Sequence, residues 1–392
     1  MTSVGTRAWG FRLFAGSIAV VVGLVAGPAA SATSRAAGSR GDWVEDGYDS
    51  ANTRFNPLEK TLGPANVAQL TPLWNLDIDA NSSPVVAGHR VYVQTLTAVN
   101  AYDRVTGDLA WSHPLASDLF SGSIAVADDV VYAVSNPDTT ATPVLYALAA
   151  ADGAQLWKRK VPAAAAGRAI VVAGGSVYVP AVNAVVVVDA VAHTAHKLVT
   201  TGGQTSRVAI DAGRIFVASD GGELFAFDAA TRHLDWHITD DSKRNDGFPT
   251  AANGIVYESA GSGRLVAVSE ADGSPRWSID AHTKFTSDVA LAKGVVYFGD
   301  YTGRFSALNA TTGKQKWTVS LGAQATDEPT IANGVVYVTT QDKNLRALDA
   351  RTGASLFTGS AGAISQHNVV VSNGNVFLSG ATGRLRRFVL PG

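Results

Sequence analysis

The sequence predicts an all-β fold: an eight-bladed β-propeller of four-stranded antiparallel blades, closed by an N-terminal strand. Three observations support this prediction, namely the composition, a repeat of about 40 residues, and an N-terminal strand that can complete the last repeat. The chain has 392 residues, of which 46% are hydrophobic and 39 are glycine. This composition is too apolar for a disordered chain and too rich in glycine for a mainly helical protein.

A strand of the type Gly-x-Val-Tyr-Val recurs eight times. Its central aromatic residues are Tyr92, Tyr132, Tyr178, Phe216, Tyr257, Tyr297, Tyr337 and Phe377. Successive copies are separated by 40, 46, 38, 41, 40, 40 and 40 residues. A fixed period of this length is typical of repeat architectures, and eight copies predict eight blades.

Most of these strands are followed by the pattern Ala-x-Asp-x-x-Thr-Gly-x-x-x-Trp, which is best preserved at residues 101–111. The third copy is degenerate and carries Lys197 at the Trp position, and the seventh carries Phe357. Each repeat therefore reads as four short strands, with Asn-Gly, Asp-Gly and Thr-Gly pairs at the turns. One such sheet cannot bury both of its faces, but sheets arranged radially cover one another.

The last repeat lacks its fourth strand. The strand around Phe377 is followed by one further strand at 384–390, and a Trp-bearing strand at 73–76 is left unassigned near the N-terminus. We expect the strand at 73–76 to complete the last blade. The ring would then have no open edge.

The first residues have the pattern of a secretory signal peptide. Arginines at positions 7 and 12 precede an apolar run over 13–27, and the small residues Ala30-Ser31-Ala32 follow. We expect a signal peptide at 1–32, a lead-in arm at 33–69 and the propeller at 70–392. The alternative is an uncleaved anchor, although the run is shorter than the roughly 20 apolar residues that span a bilayer. With cleavage, we expect a secreted or envelope protein without a membrane span.

The charge and cysteine content exclude several classes of function. The chain has 31 Lys and Arg against 33 Asp and Glu, so it offers no basic surface for nucleic acid or for an anionic membrane. It has no cysteine, which excludes disulfides, thiolate metal sites and covalently attached c-type haem. The histidine pairs 193/196 and 233/237 have no carboxylate set beside them, and we expect no metal site. We expect a monomer.

The repeats resemble those of the pyrroloquinoline quinone (PQQ)-like propellers, from Asp42 to the C-terminus. The lead-in is also similar to that of quinoprotein alcohol dehydrogenases, through Asp42-Trp43, Asp49, Asn52-Thr53-Arg54-Phe55-Asn56-Pro57-Leu58, Asn66-Val67 and Leu73-Trp74. The resemblance implies the propeller fold, with the Trp residues wedged between blades. It leaves the function open, since the family contains PQQ enzymes and also cofactor-free scaffolds such as the propeller lipoprotein of outer-membrane β-barrel assembly. The adjacent Cys pair of many of the enzymes is absent.

Candidate ligand-binding residues lie where the chain approaches the innermost strand of each repeat, because propeller ligands favour the channel mouth. The tripeptides before these strands supply Arg168, Arg207, Asp246, Asp288, Asp327, Glu328 and His367. Loops between second and third strands on the same rim supply Asp300 and Lys343. Arginines bind carboxylates bidentately and Ca²⁺ prefers hard oxygen ligands, so this mouth could hold a polycarboxylate beside a divalent cation. The alternative is that these charges are solvated loop residues.

Two functions of different classes follow. In the first, the protein is an exported binding or assembly scaffold that recognises a protein or small-molecule ligand through its rim loops, with no cofactor. In the second, it is a quinoprotein oxidoreductase that uses PQQ and Ca²⁺, with Arg168 and Arg207 on the cofactor's carboxylates and the acidic residues as metal ligands or base. No catalytic motif of the family aligns beyond the repeat and the lead-in. A hydrolase or lyase is a third possibility, but no paired carboxylates support it.

Overall fold

The computed structural model describes residues 41–392 except 116–121, 136–141, 163–168, 240–246, 261–262, 281–287, 327, 363–366 and 381–382. This part of the chain is almost entirely β-structure, with one short 3-10 helix, Val67–Gln69. None of its helices is long and apolar enough to cross a membrane. The predicted signal peptide lies outside the described residues.

The strands are numbered in chain order. The first sixteen are β1 Phe55–Asn56, β2 Thr71–Asp77, β3 Val85–Ala87, β4 Arg90–Gln94, β5 Ala98–Asp103, β6 Leu109–Pro114, β7 Ser123–Ala127, β8 Val130–Ser135, β9 Val144–Ala149, β10 Gln155–Lys160, β11 Val171–Ala173, β12 Ser176–Asp189, β13 Ala195–Asp211, β14 Arg214–Ser219, β15 Glu223–Asp228 and β16 Leu234–Thr239. The others are β17 Thr250–Ala252, β18 Ile255–Ala260, β19 Arg264–Ser269, β20 Pro275–Asp280, β21 Ala290–Ala292, β22 Val295–Gly299, β23 Arg304–Asn309, β24 Gln315–Ser320, β25 Thr330–Ala332, β26 Val335–Thr340, β27 Asn344–Asp349, β28 Ser355–Ser360, β29 Val370–Ser372, β30 Asn375–Gly380 and β31 Arg384–Val389.

These strands form seven sheets in the described part of the chain. Five sheets have four strands, as in β3-β4-β5-β6, and one has five because β1 adds to β25 in parallel. The remaining sheet has six strands, in the order β11 to β16. Apart from β1, neighbouring strands are antiparallel and mostly follow one another along the chain, so the sheets are the meanders of a propeller.

The prediction of eight separate four-stranded blades is wrong, because the propeller has seven blades. The strands β12 and β13 run without interruption through turns that the repeat predicts, and the third and fourth repeats share the six-stranded sheet. The connection is held by the pairing of Val182 with Gln204 and by a 2.8 Å hydrogen bond from Gly203 N to Asn183 Oδ1. This continuous segment contains Lys197, which in the third repeat replaces the Trp that packs between neighbouring sheets in most other repeats.

The predicted closure of the ring is confirmed. The N-terminal strand β2 pairs antiparallel with β31, with Asn75 opposite Arg386 and Leu76 opposite Leu385. The last sheet therefore has the order β2-β31-β30-β29 and combines strands from the two ends of the described chain.

Tryptophans pack at the joints between sheets, as predicted. The indole nitrogen of Trp317 donates to Ala350 O in the next repeat at 3.1 Å, and that of Trp277 donates to Ala310 O at 2.8 Å. The Thr-Gly turn of the next repeat lies against the indole ring of Trp317. Gly353 has a φ of 76°, and a Cβ there would lie 2.7 Å from Trp317 Cε3. Only glycine fits both this conformation and this contact.

Candidate functional site

Residues 41–56, named the collar from here on, lie inside the ring and bond to the innermost strand of every repeat. The hydrogen bonds are Trp43 N to Val86 O (2.8 Å), Val126 N to Val44 O (2.8 Å), Val172 N to Glu45 Oε2 (3.1 Å), Ile210 N to Ser50 O (2.6 Å), Ala251 N to Ala51 O (3.0 Å), Leu291 N to Thr53 O (2.9 Å), Ile331 N to Arg54 O (2.9 Å) and Asn56 Nδ2 to Val371 O (2.8 Å). The collar therefore links all of the repeats at the axis of the ring.

The collar has an unusual backbone conformation that tertiary contacts maintain. Three non-glycine residues have positive φ: Tyr48 at 75°, Asn52 at 58° and Arg54 at 55°. Such conformations cost about 1–3 kcal/mol each and persist only where the surroundings enforce them. The amide of Asn52 donates to Val208 O and Pro249 O, both at 3.0 Å, and so fixes the collar to two neighbouring repeats.

A polar cavity of about 170 Å³ adjoins the collar at the channel mouth. It is lined by the collar residue Asp46 and by residues that precede or begin the innermost strands: Ser82, Ser83, Gly122, Ser123, Ile124, Ala169, Arg207, Phe248, Glu328, His367 and Asn368. Segments of seven repeats far apart in the chain thus converge on one small space. Three of the predicted site residues, Arg207, Glu328 and His367, are among them.

The other predicted site residues that the structure describes do not line this cavity. The carboxylate of Asp288 lies beside its wall, where Oδ1 accepts hydrogen bonds from Phe248 N at 3.0 Å and Ser259 Oγ at 2.8 Å. Asp300 pairs with Arg304 in its own turn at 2.9 Å. Lys343 lies in a turn with a φ of 65°. Arg168, Asp246 and Asp327 lie outside the described residues.

Two buried arginines and two carboxylates form a network between the collar and the wall. Arg207 pairs directly with Asp46, and its Nη1 lies 3.9 Å from Glu328 Oε1. Arg54 Nη2 lies 3.2 Å from the same Glu328 oxygen. The side chains of Arg54 and Arg207 are only 1% and 5% exposed. The collar members of this network, Asp46 and Arg54, were not among the residues predicted for the site, and the resemblance of the lead-in was the one signal that pointed to this segment.

The direction of Arg207 follows from an irregularity in its strand. The pairing of β13 with β14 shifts register between Thr205 and Val208. A β-bulge of this kind bends the strand and re-aims a side chain. The guanidinium of Arg207 also lies over the ring of Phe248, with 4.4 Å from Cζ to the ring centroid, a favourable cation–π contact.

Burial and these charges shift the pKa values of the carboxyls. Burial alone would raise the pKa of Asp46, but Arg207 and Arg54 hold it below its ordinary value. For Asp288, burial and the nearby charge of Glu328 raise the pKa to about 7. Burial raises the pKa of the collar residue Glu45 to about 8, although the amide of Val172 favours its charged form.

The described residues do not fit PQQ with Ca²⁺. Arg207, which that hypothesis places on a carboxylate of the cofactor, is already paired with Asp46. Among the described residues, no three His, Asp or Glu side chains are grouped so that they could hold a metal ion. The cavity of about 170 Å³ is also smaller than the roughly 300–1,000 Å³ of typical ligand and cofactor pockets.

The closed ring, the Trp-bearing repeats and the collar define a β-propeller of PQQ-like repeats. A family model described as "Outer membrane protein assembly factor BamB" matches residues 96–198, 188–282 and 261–389. The chain belongs to this family of PQQ-like propellers.

The known proteins that the chain resembles include dehydrogenases and BamB. It is 29% identical over 144 residues to 1-butanol dehydrogenase (cytochrome c) of Thauera butanivorans, and the match covers 33% of this chain and 20% of that enzyme. The chain thus spans about a fifth of that relative. The structure of quinohemoprotein alcohol dehydrogenase ADHIIG from Pseudomonas putida HK5 is similar with a TM-score of 0.69 and 13% identity, over 89% of this chain and 80% of that one. BamB from Moraxella catarrhalis is similar with a TM-score of 0.64 and 18% identity, over 82% and 97%. These structural likenesses show the fold.

Proposed function

We propose that the protein is an exported binding or assembly scaffold, which holds a small ligand or a projecting group of a partner at the channel mouth without turnover. The observation that supports this function best is the construction of the mouth cavity. Segments of seven repeats line it, and the collar beneath bonds to every repeat. A site held from so many directions is preorganised, which lowers the entropic cost of binding.

The charges at the mouth favour binding over catalysis. A general base needs a pKa near the working pH and must reach the proton that it removes. The carboxylates that line the cavity, Asp46 and Glu328, each lie against an arginine. Asp288 has a pKa of about 7, but it bonds to Phe248 N and Ser259 and is not part of the cavity lining.

The scaffold function is tested by capture from an envelope extract with immobilised protein that begins at residue 33. A double variant, Phe248→Ala with His367→Ala, alters the mouth while keeping the buried ion pairs. The matched control is Arg214→Ala, which removes a partly exposed pair with Asp235 at 3.2 Å, away from the cavity. We expect the mouth variant to lose the captured partners and the control to retain them. Equal capture by all three proteins would contradict recognition at the mouth.

The likeness to 1-butanol dehydrogenase (cytochrome c) supports the alternative of a quinoprotein oxidoreductase. Purified protein mixed with PQQ and Ca²⁺ is followed by melting temperature and by dye-linked oxidation of 1-butanol. We expect no shift in melting temperature and no dye reduction. Dye reduction that requires PQQ would overturn the proposal of binding without turnover.

A further inference from the structure

We infer that Asp211 and Glu270 form a proton-dependent latch, which holds the fourth and fifth repeats together while the two carboxyls share a proton and loosens their joint when both are ionised. The latch is separate from the mouth cavity, whose lining contains neither residue. Three properties of the pair support it: its position in the repeat pattern, its burial without a basic partner, and its contact with the collar.

Both acidic residues occupy positions that are alanine at the other joints. The innermost strand ends in Ala in six repeats and in Asp211 in the fourth. Glu270 N donates to Gly254 O at 3.0 Å, as Ala310 N donates to Gly294 O at 3.0 Å in the next repeat, so Glu270 and Ala310 are equivalent. At five joints the two equivalent alanines lie in one apolar cluster: Ala87 with Ala150, Ala127 with Ala190, Ala173 with Ala229, Ala252 with Ala310, and Ala292 with Ala350. The propeller joint therefore does not need carboxyls at these positions.

The two side chains contact each other across the joint. Glu270 is 2% exposed and Asp211 is half-buried. Their carboxyl groups are hydrogen-bonded to each other. An ionised carboxylate has acceptors only, so this bond requires a proton on one of the two groups. The joint is thus bonded in the singly protonated state and carries two like charges after that proton is lost.

No basic side chain neutralises the pair. In the part of the chain that the structure describes, neither carboxyl takes part in an ion pair with Lys, Arg or His. Arg214 lies opposite Asp211 across the turn to β14, but it pairs with Asp235 at 3.2 Å. The other ionisable groups that face the pair are Asp49 of the collar and Tyr257 of β18.

The pKa values place the loss of the proton near neutral pH. Burial, followed by the charge of Asp211, raises the pKa of Glu270 to about 7, although the N–H groups of Gly254 and Ile255 favour its charged form. Burial raises the pKa of Asp49 to about 6, and the charge of Asp211 adds to the increase. A raised pKa means that the stabilisation is present at low pH and is lost as the pH rises through that value. The latch is therefore closed in mild acid and open in mild base.

The latch lies beside the bonds that hold the collar to these two repeats. Ile210 N, adjacent to Asp211, donates to Ser50 O at 2.6 Å, and Ala251 N donates to Ala51 O at 3.0 Å. Repulsion between the two carboxylates acts on the ends of the strands that carry these donors. Opening of the latch would therefore weaken the attachment of the collar at residues 50–51.

A double-mutant cycle tests the pairing. Asp211→Ala, Glu270→Ala and the double variant, which restores the alanine pair of the other joints, are unfolded with urea at pH 5.5 and pH 8.5. We expect the coupling between the two residues to be favourable at pH 5.5 and unfavourable at pH 8.5. The control cycle uses Arg90 and Asp103, which pair at 3.2 Å on the surface. Its coupling should keep one sign, because both groups stay charged at both pH values.

Hydrogen exchange measured by mass spectrometry tests the opening of the joint. The comparison is with Glu270→Gln, whose amide can donate to Asp211 without a titrating proton. At pH 8, segments 47–53 and 208–216 should lose about tenfold more protection in the wild type than in the variant, after correction for intrinsic exchange. At pH 6 the two proteins should be alike, and segment 290–297 of the sixth repeat should not differ at either pH.

A coupling of the same sign at both pH values would overturn the inference. A change of sign without a difference in exchange would also overturn it, because the pair would then titrate without loosening the joint. Stronger protection of both segments in Glu270→Gln at pH 8, together with the change of sign, is the result that supports the latch.

Discussion

The guanidinium of Arg54 in the collar lies 3.2 Å from the carboxylate of Glu328 in the approach to the seventh innermost strand. Arg54 has a positive φ of 55°, and its backbone oxygen accepts a hydrogen bond from Ile331 N at 2.9 Å. The backbone and the side chain of one residue therefore bind the collar to the same repeat. This contact connects the collar to the cavity wall and leads to the first prediction.

Replacement of Arg54 by Met should lower the free energy of unfolding by about 3 kcal/mol, because it leaves a partly buried carboxylate without its closest partner. The double variant Arg54→Met with Glu328→Gln should regain part of the loss. Arg90→Met is a suitable control, since its pair with Asp103 at 3.2 Å is about one-third exposed and such pairs contribute about 0–1 kcal/mol. Urea unfolding of the wild type and of the three variants measures their free energies of unfolding. Equal losses for Arg54→Met and Arg90→Met would show that the collar pair does not stabilise the fold.

The buried carboxyl of Glu45 should make stability fall as pH rises. Its pKa is about 8 in the folded protein against an ordinary value of 4.5, so the folded state holds the proton more tightly than the unfolded state. The contribution of this protonated carboxyl to the free energy of unfolding is fully present below about pH 4.5. It is lost as the pH rises to about 8, with a slope of up to about 1.4 kcal/mol per pH unit.

Glu45→Gln isolates this effect from the other carboxyls, since glutamine does not ionise. We expect the stability difference between wild type and variant to decline between pH 5 and pH 8 and to be constant above that range. Urea unfolding of both proteins at half-unit pH intervals measures this difference. A difference that is the same at pH 5 and pH 8 would mean that Glu45 titrates normally.

Loss of one wedge tryptophan should destabilise the whole ring. Trp236 is 7% exposed, and its indole nitrogen donates to Glu270 O in the next repeat at 3.0 Å. We expect Trp236→Ala to cost about 3–5 kcal/mol, because it opens a cavity between two repeats. Trp236→Phe keeps an aromatic side chain at this position, so it should cost only about 1 kcal/mol, for the lost hydrogen bond. Denaturant unfolding distinguishes the two, and similar small losses would show that the wedge position tolerates a cavity.

The turn glycine beneath Trp317 should tolerate alanine less well than a turn glycine in open space. Gly353 and Gly294 have similar φ angles of 76° and 74°, but only Gly353 has atoms within reach of an added Cβ. Both alanine variants carry the backbone cost of about 1–2 kcal/mol. Gly353→Ala should lose about 1–3 kcal/mol more through overpacking. The two variants are compared by their melting temperatures. Equal values would mean that the Trp317 ring moves aside freely.

Much of the fold was predictable because its signals are local. Alternating apolar residues, the Asn-Gly and Thr-Gly turns and the recurring aromatic residues identify strands and repeats without any long-range information. The pairing of β2 with β31 was also predictable, because one strand was missing from the last repeat and one was unassigned near Trp74. The number of blades was not predictable, since it depends on whether β12 and β13 continue through their expected turns or break there.

For this protein, the sequence by itself determined the repeats, the closure of the ring and the residues that approach the channel, including Arg207 and Glu328. Only the tertiary structure decided that the collar enters the ring and presents Asp46 and Arg54 to those residues. The reason is that the collar has no periodic pattern of its own. Its conformation is set by hydrogen bonds to eight innermost strands that are distant in the chain, and these partners come together only when the ring has closed.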